Sequence, residues 1–222
     1  MDRASLQVIW AALLPDHAVV EAGSYSSSAQ PGGASEQLAT AGMQDSRRLE
    51  FLSGRLYARK ALAALGREPI DIPIAIDRGP QWPEGVVGSI THTLGSSGGW
   101  ASAAVSYVAT VSSLGIDMEC SENLDARALD VVLTSTERAF LMNVPPALRF
   151  REASLFWCAK EATLKAARGV TDPSEVEIQL SKSGEQFRAT RRSAQQNARE
   201  DAWVFEGRTS YSDGFAFAVA YR

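Results

Sequence analysis

The chain has 222 residues, 45% of them hydrophobic and 22% charged, with a formal net charge of −4. That is the composition of a globular protein long enough to bury a core without metal or disulfide staples. It argues against a general nucleic-acid binder, which needs a basic face to displace counterions, and no apolar run is long enough for a membrane span.

The two cysteines, Cys120 and Cys158, have neither knuckle nor redox spacing and read as reduced thiols of a cytoplasmic protein. Residues 1–14 lack the basic start and cleavage site of a secretory signal. In chain order, residues 6–20 are apolar around Pro15, which predicts strand or irregular structure near a core, and the Ser/Gly-rich stretch 23–35 predicts an exposed loop. From 44 to 65 apolar residues recur at three- and four-residue intervals, the pattern of an amphipathic helix with Asp45 or Ser46 as cap and Gly66 past its end. Arg47, Arg48, Arg55, Arg59 and Lys60 outnumber the acids on that helix. Arg55 and Arg59 are four apart and share a face, which reads either as a solvated basic surface or as an anion site.

Residues 69–76 predict a short strand and 77–85 a punctuated loop around Pro80, Trp82 and Pro83. Strands follow at 86–93, 101–111 and 114–119. Helix is predicted near Ser135 and again over 152–168, and strands over 175–221, where Phe215, Phe217, Val219 and Tyr221 alternate. Helices and hairpin-compatible strands in both halves favour α+β over a regular βαβ alternation.

Two constellations carry chemistry. In Gly115-Ile116-Asp117-Met118-Glu119 a strand would send Asp117 and Glu119 to one face. Side-by-side carboxylates repel unless a cation or proton relieves them, and Mg2+ is a natural relief; on its own the pair also reads as a solvent-facing strand end. In Phe156-Trp157-Cys158-Ala159-Lys160-Glu161-Ala162-Thr163-Leu164-Lys165-Ala166 a stripe of Leu155, Ala159, Ala162 and Ala166 faces a core. Glu161 and Lys165 share another direction there, which by itself could be an exposed helix ion pair.

The order of the elements is more specific than any one of them. VGSITH, GIDME and FWCAKEATLKA stand in the order of the three hallmark motifs of the 4'-phosphopantetheinyl transferase superfamily, which this chain resembles. The segment RRLEFLSGRLYARKALAALG and the loop RGPQWPEG are similar to its two-lobed surfactin-type branch, that of enterobactin synthetase component D. The resemblance runs with gaps over about 14–170; Gln44-Asp45-Ser46 stands where relatives often carry a basic residue, and 23–35 has no clear counterpart.

What the resemblance implies is an α+β protein of two similar lobes with pseudo-two-fold symmetry, 1–112 binding nucleotide and 113–222 carrying the metal and catalytic carboxylates, with the active site in the cleft between them. A monomeric enzyme is expected to move phosphopantetheine from coenzyme A to a serine of an acyl, peptidyl or aryl carrier protein. Adenosine 3',5'-bisphosphate would leave. Asp117, Glu119 and Glu161 would hold Mg2+, and Glu161 would take the serine proton directly or through water. Lys165 and Lys160 would neutralise phosphate charge, with Lys165 assisting the leaving group; Arg55, Arg59, Arg78, Ser89 and His92 would surround the coenzyme A phosphates. Two other readings share these residues, a coenzyme-A-binding module without transfer and a metal-dependent phosphohydrolase. The intact Asp117, Glu119, Glu161 and Lys165 set disfavours the first, and a chain with two histidines shows no second metal cluster for the other.

Overall fold

The computed structural model describes residues 1–96, 98–169, 172–192 and 203–222. It divides into two compact units, Met1–Leu114 and Gly115–Arg222, each an antiparallel sheet carrying a long helix.

The first unit opens with α1 (Arg3–Leu13), where the sequence pattern predicts strand or irregular structure. Asp2 caps it through Ser5 N–H, and Leu6, Trp10 and Leu13 form its buried stripe. Pro15 lies beyond the helix end rather than at the middle of an extended segment. Trp10 is fully buried, and its indole N–H donates to Ser102 Oγ at 2.8 Å. β1 (Val19–Ser24), β2 (Val86–Gly95) and β3 (Gly98–Tyr107) pair in the order β1-β3-β2, with His92 opposite Ala101. Between β1 and β2 come a short α2 (Ala34–Thr40) and α3 (Asp45–Ala64), whose Tyr57, Ala58, Ala61 and Leu62 pack on Ala101, Ala103 and Val105. The N-cap of α3 is Gln44, with no side-chain bond, so neither Asp45 nor Ser46 caps it. The stretch 69–76 is no strand; it makes one bridge, Ile74 to Pro80. Pro69 and Pro73 have no N–H to give a ladder, and Ile72 N–H goes to a carboxylate instead.

The second unit has a sheet ordered β4-β8-β7-β6-β5 from β4 (Leu114–Cys120), β5 (Val176–Leu180), β6 (Gln186–Arg191), β7 (Val204–Ser212) and β8 (Phe215–Tyr221). Part of the stretch predicted as strand, 193–202, lies outside the described residues. Two short helices, α4 (Ala126–Val132), which the pattern does not predict, and α5 (Ser135–Met142), precede the long α6 (Pro146–Ala167). α6 starts earlier than its apolar pattern indicates, because Pro146 takes the first helical position, where its missing N–H costs nothing. Leu155, Ala159, Ala162 and Ala166 do face the core, among Phe187, Phe205, Ala216 and Ala218.

The two units share a buried device. In the first, Glu36, third in α2 and fully buried, accepts from Gly32 N–H, from Ile72 N–H at 3.0 Å and from Arg59 at 2.5 Å. In the second, Glu137, third in α5, accepts from Thr134 N–H, from Ile178 N–H at 2.8 Å and from Lys160 at 3.0 Å. Arg59 and Lys160 stand equally far along their helices, Asp45 to Arg59 and Pro146 to Lys160. Each glutamate therefore ties a short helix and a later extended segment to one side of the long helix.

Removing one partner of a buried, hydrogen-bonded ion pair leaves the other charge uncompensated, at a cost of about 3–5 kcal/mol. Lys160→Met is accordingly expected to lower the unfolding free energy by about 3 kcal/mol or more in urea titrations. A loss under about 1 kcal/mol would show that two backbone N–H groups are enough for Glu137.

Candidate active site

The second unit gathers four of the expected residues. β4 sends Ile116 and Met118 to one face and Gly115, Asp117 and Glu119 to the other, and of these five only Glu119 is not buried. That face lies on α6, because a Cβ at Gly115 would stand 1.9 Å from the Ala162 carbonyl oxygen and 2.6 Å from Ala166 N. The bare glycine thus permits the strand to reach the helix backbone. Lys165 Nζ then donates to Asp117 Oδ1 at 2.7 Å and to the Ile116 carbonyl at 3.2 Å. Glu119 Oε1 accepts from Cys120 N–H at 2.9 Å and from Asn123 Nδ2 at 3.1 Å.

The charges act on one another. Burial, then the Asp117 carboxylate, raises the pKa of Glu161; Lys165 opposes the rise and Glu119 adds to it. Burial pulls Lys165 down, but Asp117 and Glu161 outweigh it and its pKa lies above the ordinary lysine value. Cys158, fully buried, is pushed well up by burial and by Asp117, so it is an inert thiol here.

Lys160 is a correction. It is not beside these carboxylates but fully buried, its ammonium taken up by Glu137 and the carbonyls of Pro173 and Val176. An ammonium has three donors, and three acceptors surround it, so none faces a substrate phosphate. Burial lowers its pKa, with Glu137 opposing.

Among the described residues, no three His, Cys, Asp or Glu side chains stand close enough to hold a metal ion as placed. The donor set nevertheless fits a hard dication in kind. Asp117, Glu119 and Glu161 are all oxygen donors, and the mutual repulsion that raises Glu161 is what a dication would relieve.

In the first unit the expected residues separate. Ser89 is buried with Thr91 and Thr93 on one face of β2, while His92 falls on the opposite face with Ile90, toward α3. Strand parity therefore places Ser89 and His92 on opposite faces of β2. Arg55 is also buried; its Nε donates to the Ile72 carbonyl, its guanidinium lies over the Phe51 ring, and burial lowers its pKa to about 10 against the pull of Glu36. Arg59 donates to Glu36 and to the Gln30 carbonyl. Arg78 is exposed in the left-handed region (φ 66°), its N–H bonded to the Ala75 carbonyl.

The partners His92 does have were not singled out by sequence. Its Nδ1 lies 2.5 Å from Glu50 Oε1, which also takes Arg47 at 2.5 Å, and Arg47 stands 3.4 Å from His92 Nε2. The i,i+3 spacing of Arg47 and Glu50 was legible; their meeting with a strand residue was not.

Two family models match the chain in series. The 4'-phosphopantetheinyl transferase N-terminal domain matches residues 34–106, and the 4'-phosphopantetheinyl transferase superfamily model matches 113–220. Among curated proteins, the 4'-phosphopantetheinyl transferase Npt of Nocardia iowensis is 41% identical over 55% of this chain and 52% of its own. PptT of Mycobacterium tuberculosis is 43% identical over 54% and 51%, and Svp of Streptomyces mobaraensis 38% identical over 53% and 46%. The chain thus spans about half the length of the curated relatives it matches. A solved structure, Helicobacter pylori holo-[acyl-carrier-protein] synthase in complex with coenzyme A, aligns with 49% of this chain and 99% of its own at 18% identity and a TM-score of 0.38, too loose a likeness to bear on function. Among the described residues no helix is long and apolar enough to cross a membrane.

Glu50 supplies a pH test. Burial alone would raise its pKa, but His92 and Arg47 outweigh burial and hold it below its ordinary 4.5. A carboxylate lowered in the folded state stabilises fully above the unfolded value and loses that contribution as pH falls through the folded one. Glu50→Gln is expected to melt below the parent protein at about pH 7, with the gap closing below about pH 4.5 in thermal scans. A gap constant down to about pH 3 would show that the pairs do not stabilise the fold.

Proposed function

Because this chain belongs to the 4'-phosphopantetheinyl transferase superfamily, we propose that it transfers the phosphopantetheine arm of coenzyme A to a serine hydroxyl of an apo carrier protein. The observation that carries this reading is the convergence of Asp117, Glu161 and Lys165 from β4 and α6, two elements brought into backbone contact at Gly115. Acyl, peptidyl and aryl carriers are the candidate acceptors. The pathway, whether siderophore, polyketide, peptide or fatty acid, follows from which of them is present. The enzyme works as a monomer in the cytoplasm.

The serine oxygen attacks the phosphorus that bears the pantetheine arm, and the phosphoanhydride P–O bond breaks to release adenosine 3',5'-bisphosphate. The serine proton goes to Glu161, whose crowded, buried carboxyl has raised proton affinity. Lys165 donates to the oxygen that gains charge as the anhydride opens. Asp117, Glu119 and Glu161 would hold Mg2+, which when bound supplies charge neutralisation at the diphosphate. In the first unit, Arg47, held by Glu50, and the exposed Arg78 are cations, and His92 offers a ring nitrogen; these are the groups of that unit that suit a phosphate.

Intact-mass spectrometry of an apo carrier protein incubated with this protein, coenzyme A and Mg2+ is expected to show the gain of one phosphopantetheine, absent with EDTA. Glu161→Gln should lower turnover by on the order of 10²-fold or more. No mass gain on acyl, peptidyl or aryl carriers would remove the transferase reading, and near-native turnover in the variant would remove Glu161 from the chemistry.

A further inference from the structure

We propose that Lys165 gates the metal site: its ammonium occupies Asp117 in the ligand-free protein and must leave before a dication can bind there, so that metal and coenzyme A bind cooperatively. The inference rests on reading Asp117, Glu119 and Glu161 as the metal ligands.

Each of these carboxylates already has partners or strong neighbours. Lys165 Nζ is 2.7 Å from Asp117 Oδ1 and is steadied by the Ile116 carbonyl at 3.2 Å, so the ammonium is anchored on strand β4 by both a side chain and the backbone. Glu119 is turned toward Asn123 and its own strand end. The three carboxylates are near enough to crowd one another, yet no three acidic side chains are gathered for an ion as they stand. A dication touching Asp117 and an ammonium on the same carboxylate repel, so each weakens the hold of the other.

The lysine has somewhere to go. Its side chain is about a third exposed while Asp117's is one-tenth exposed, so Lys165 can swing outward while the aspartate stays in place. An ammonium displaced toward solvent beside a new dication is better accommodated if an anion receives it. The phosphates of coenzyme A are such an anion. Metal binding therefore frees Lys165 for phosphate, and phosphate draws Lys165 off Asp117. By linkage each ligand raises the affinity for the other by the same factor. Removing the ammonium should transfer that gain to the metal alone.

The experiment titrates the full chain with Mn2+ as a paramagnetic probe, reading free Mn2+ by electron paramagnetic resonance with and without coenzyme A. It uses the parent protein, Lys165→Met, Lys165→Gln and Asp117→Asn, with circular dichroism on each. The parent is expected to bind Mn2+ weakly alone and about tenfold more tightly with coenzyme A, within the usual range of coupling between sites. Lys165→Met and Lys165→Gln should each bind Mn2+ alone about tenfold more tightly than the parent, with the coupling factor reduced to match. If Asp117→Asn abolishes binding but neither lysine variant tightens it, the gate is overturned while the metal reading stands. A parent protein whose Mn2+ affinity is unchanged by coenzyme A overturns the gate without reference to any variant. No Mn2+ bound under either condition, or binding indifferent to Asp117→Asn, removes the metal reading and the gate with it.

Discussion

The setting of each long helix depends on a buried carboxylate. A lone ionised glutamate is costly to bury, and Glu36 and Glu137 are tolerated because a cation and two backbone N–H groups meet each of them. Since the partners lie on a short helix, a later extended segment and the long helix, the interaction fixes the rotation of the long helix about its axis. In α6, once Lys160 points at Glu137, the next residue is turned about 100° away. Glu161 thereby comes under the field of Asp117 and Glu119, and Lys165, four residues on, meets Asp117. The chemistry-bearing side chains take their direction from a contact that has no part in the chemistry.

The same logic explains why cations adjacent in sequence differ in use. Arg55 and Arg59 share a helix face, and that face is turned toward the Glu36 cluster and the Ile72 carbonyl, so they hold the fold of the first unit. Arg47 and Glu50, nearer the start of α3, lie on the side that meets His92. A basic helix is thus divided into a structural end and a polar end, and only the second sets Arg47 beside the half-buried strand residue His92.

Much of this was legible in sequence, and the misplaced cations share one cause. Period-two alternation puts Asp117 and Glu119 on one face, and the apolar stripe of α6 identifies its buried side. The same parity rule already separates Ser89 from His92, three apart on a strand, and helical geometry already separates Lys160 from Glu161. What sequence cannot supply is the distant partner that decides which direction is inward. Glu137 is far from Lys160 in the chain, and Ile72 N–H far from Glu36, so a lysine and an arginine that look like phosphate ligands are claimed by contacts between remote segments. Helix α1 was missed for a local reason. Its capping Asp2 and its Leu6, Trp10, Leu13 spacing were overshadowed by Pro15, which marks the end of a helix as readily as the centre of a loop.

The pairing of charges also bears on how a chain of net charge −4 would receive a polyanion. In each unit cations are matched to carboxylates, Arg47 to Glu50 in the first and Lys165 to Asp117 in the second. The opposite charges of such a pair largely cancel at a distance, and salt screens what is left beyond about 8–10 Å, so they do not attract phosphates indiscriminately. On the proposed transferase reading they become available when a ligand supplies both halves of the exchange, an anion for the cation and a cation for the carboxylate. A diphosphate with its dication meets that requirement, whereas a phosphate or a metal ion alone meets half of it. Selectivity of this kind needs no further contact to the ligand, because the ligand-free protein already holds the competing pair together.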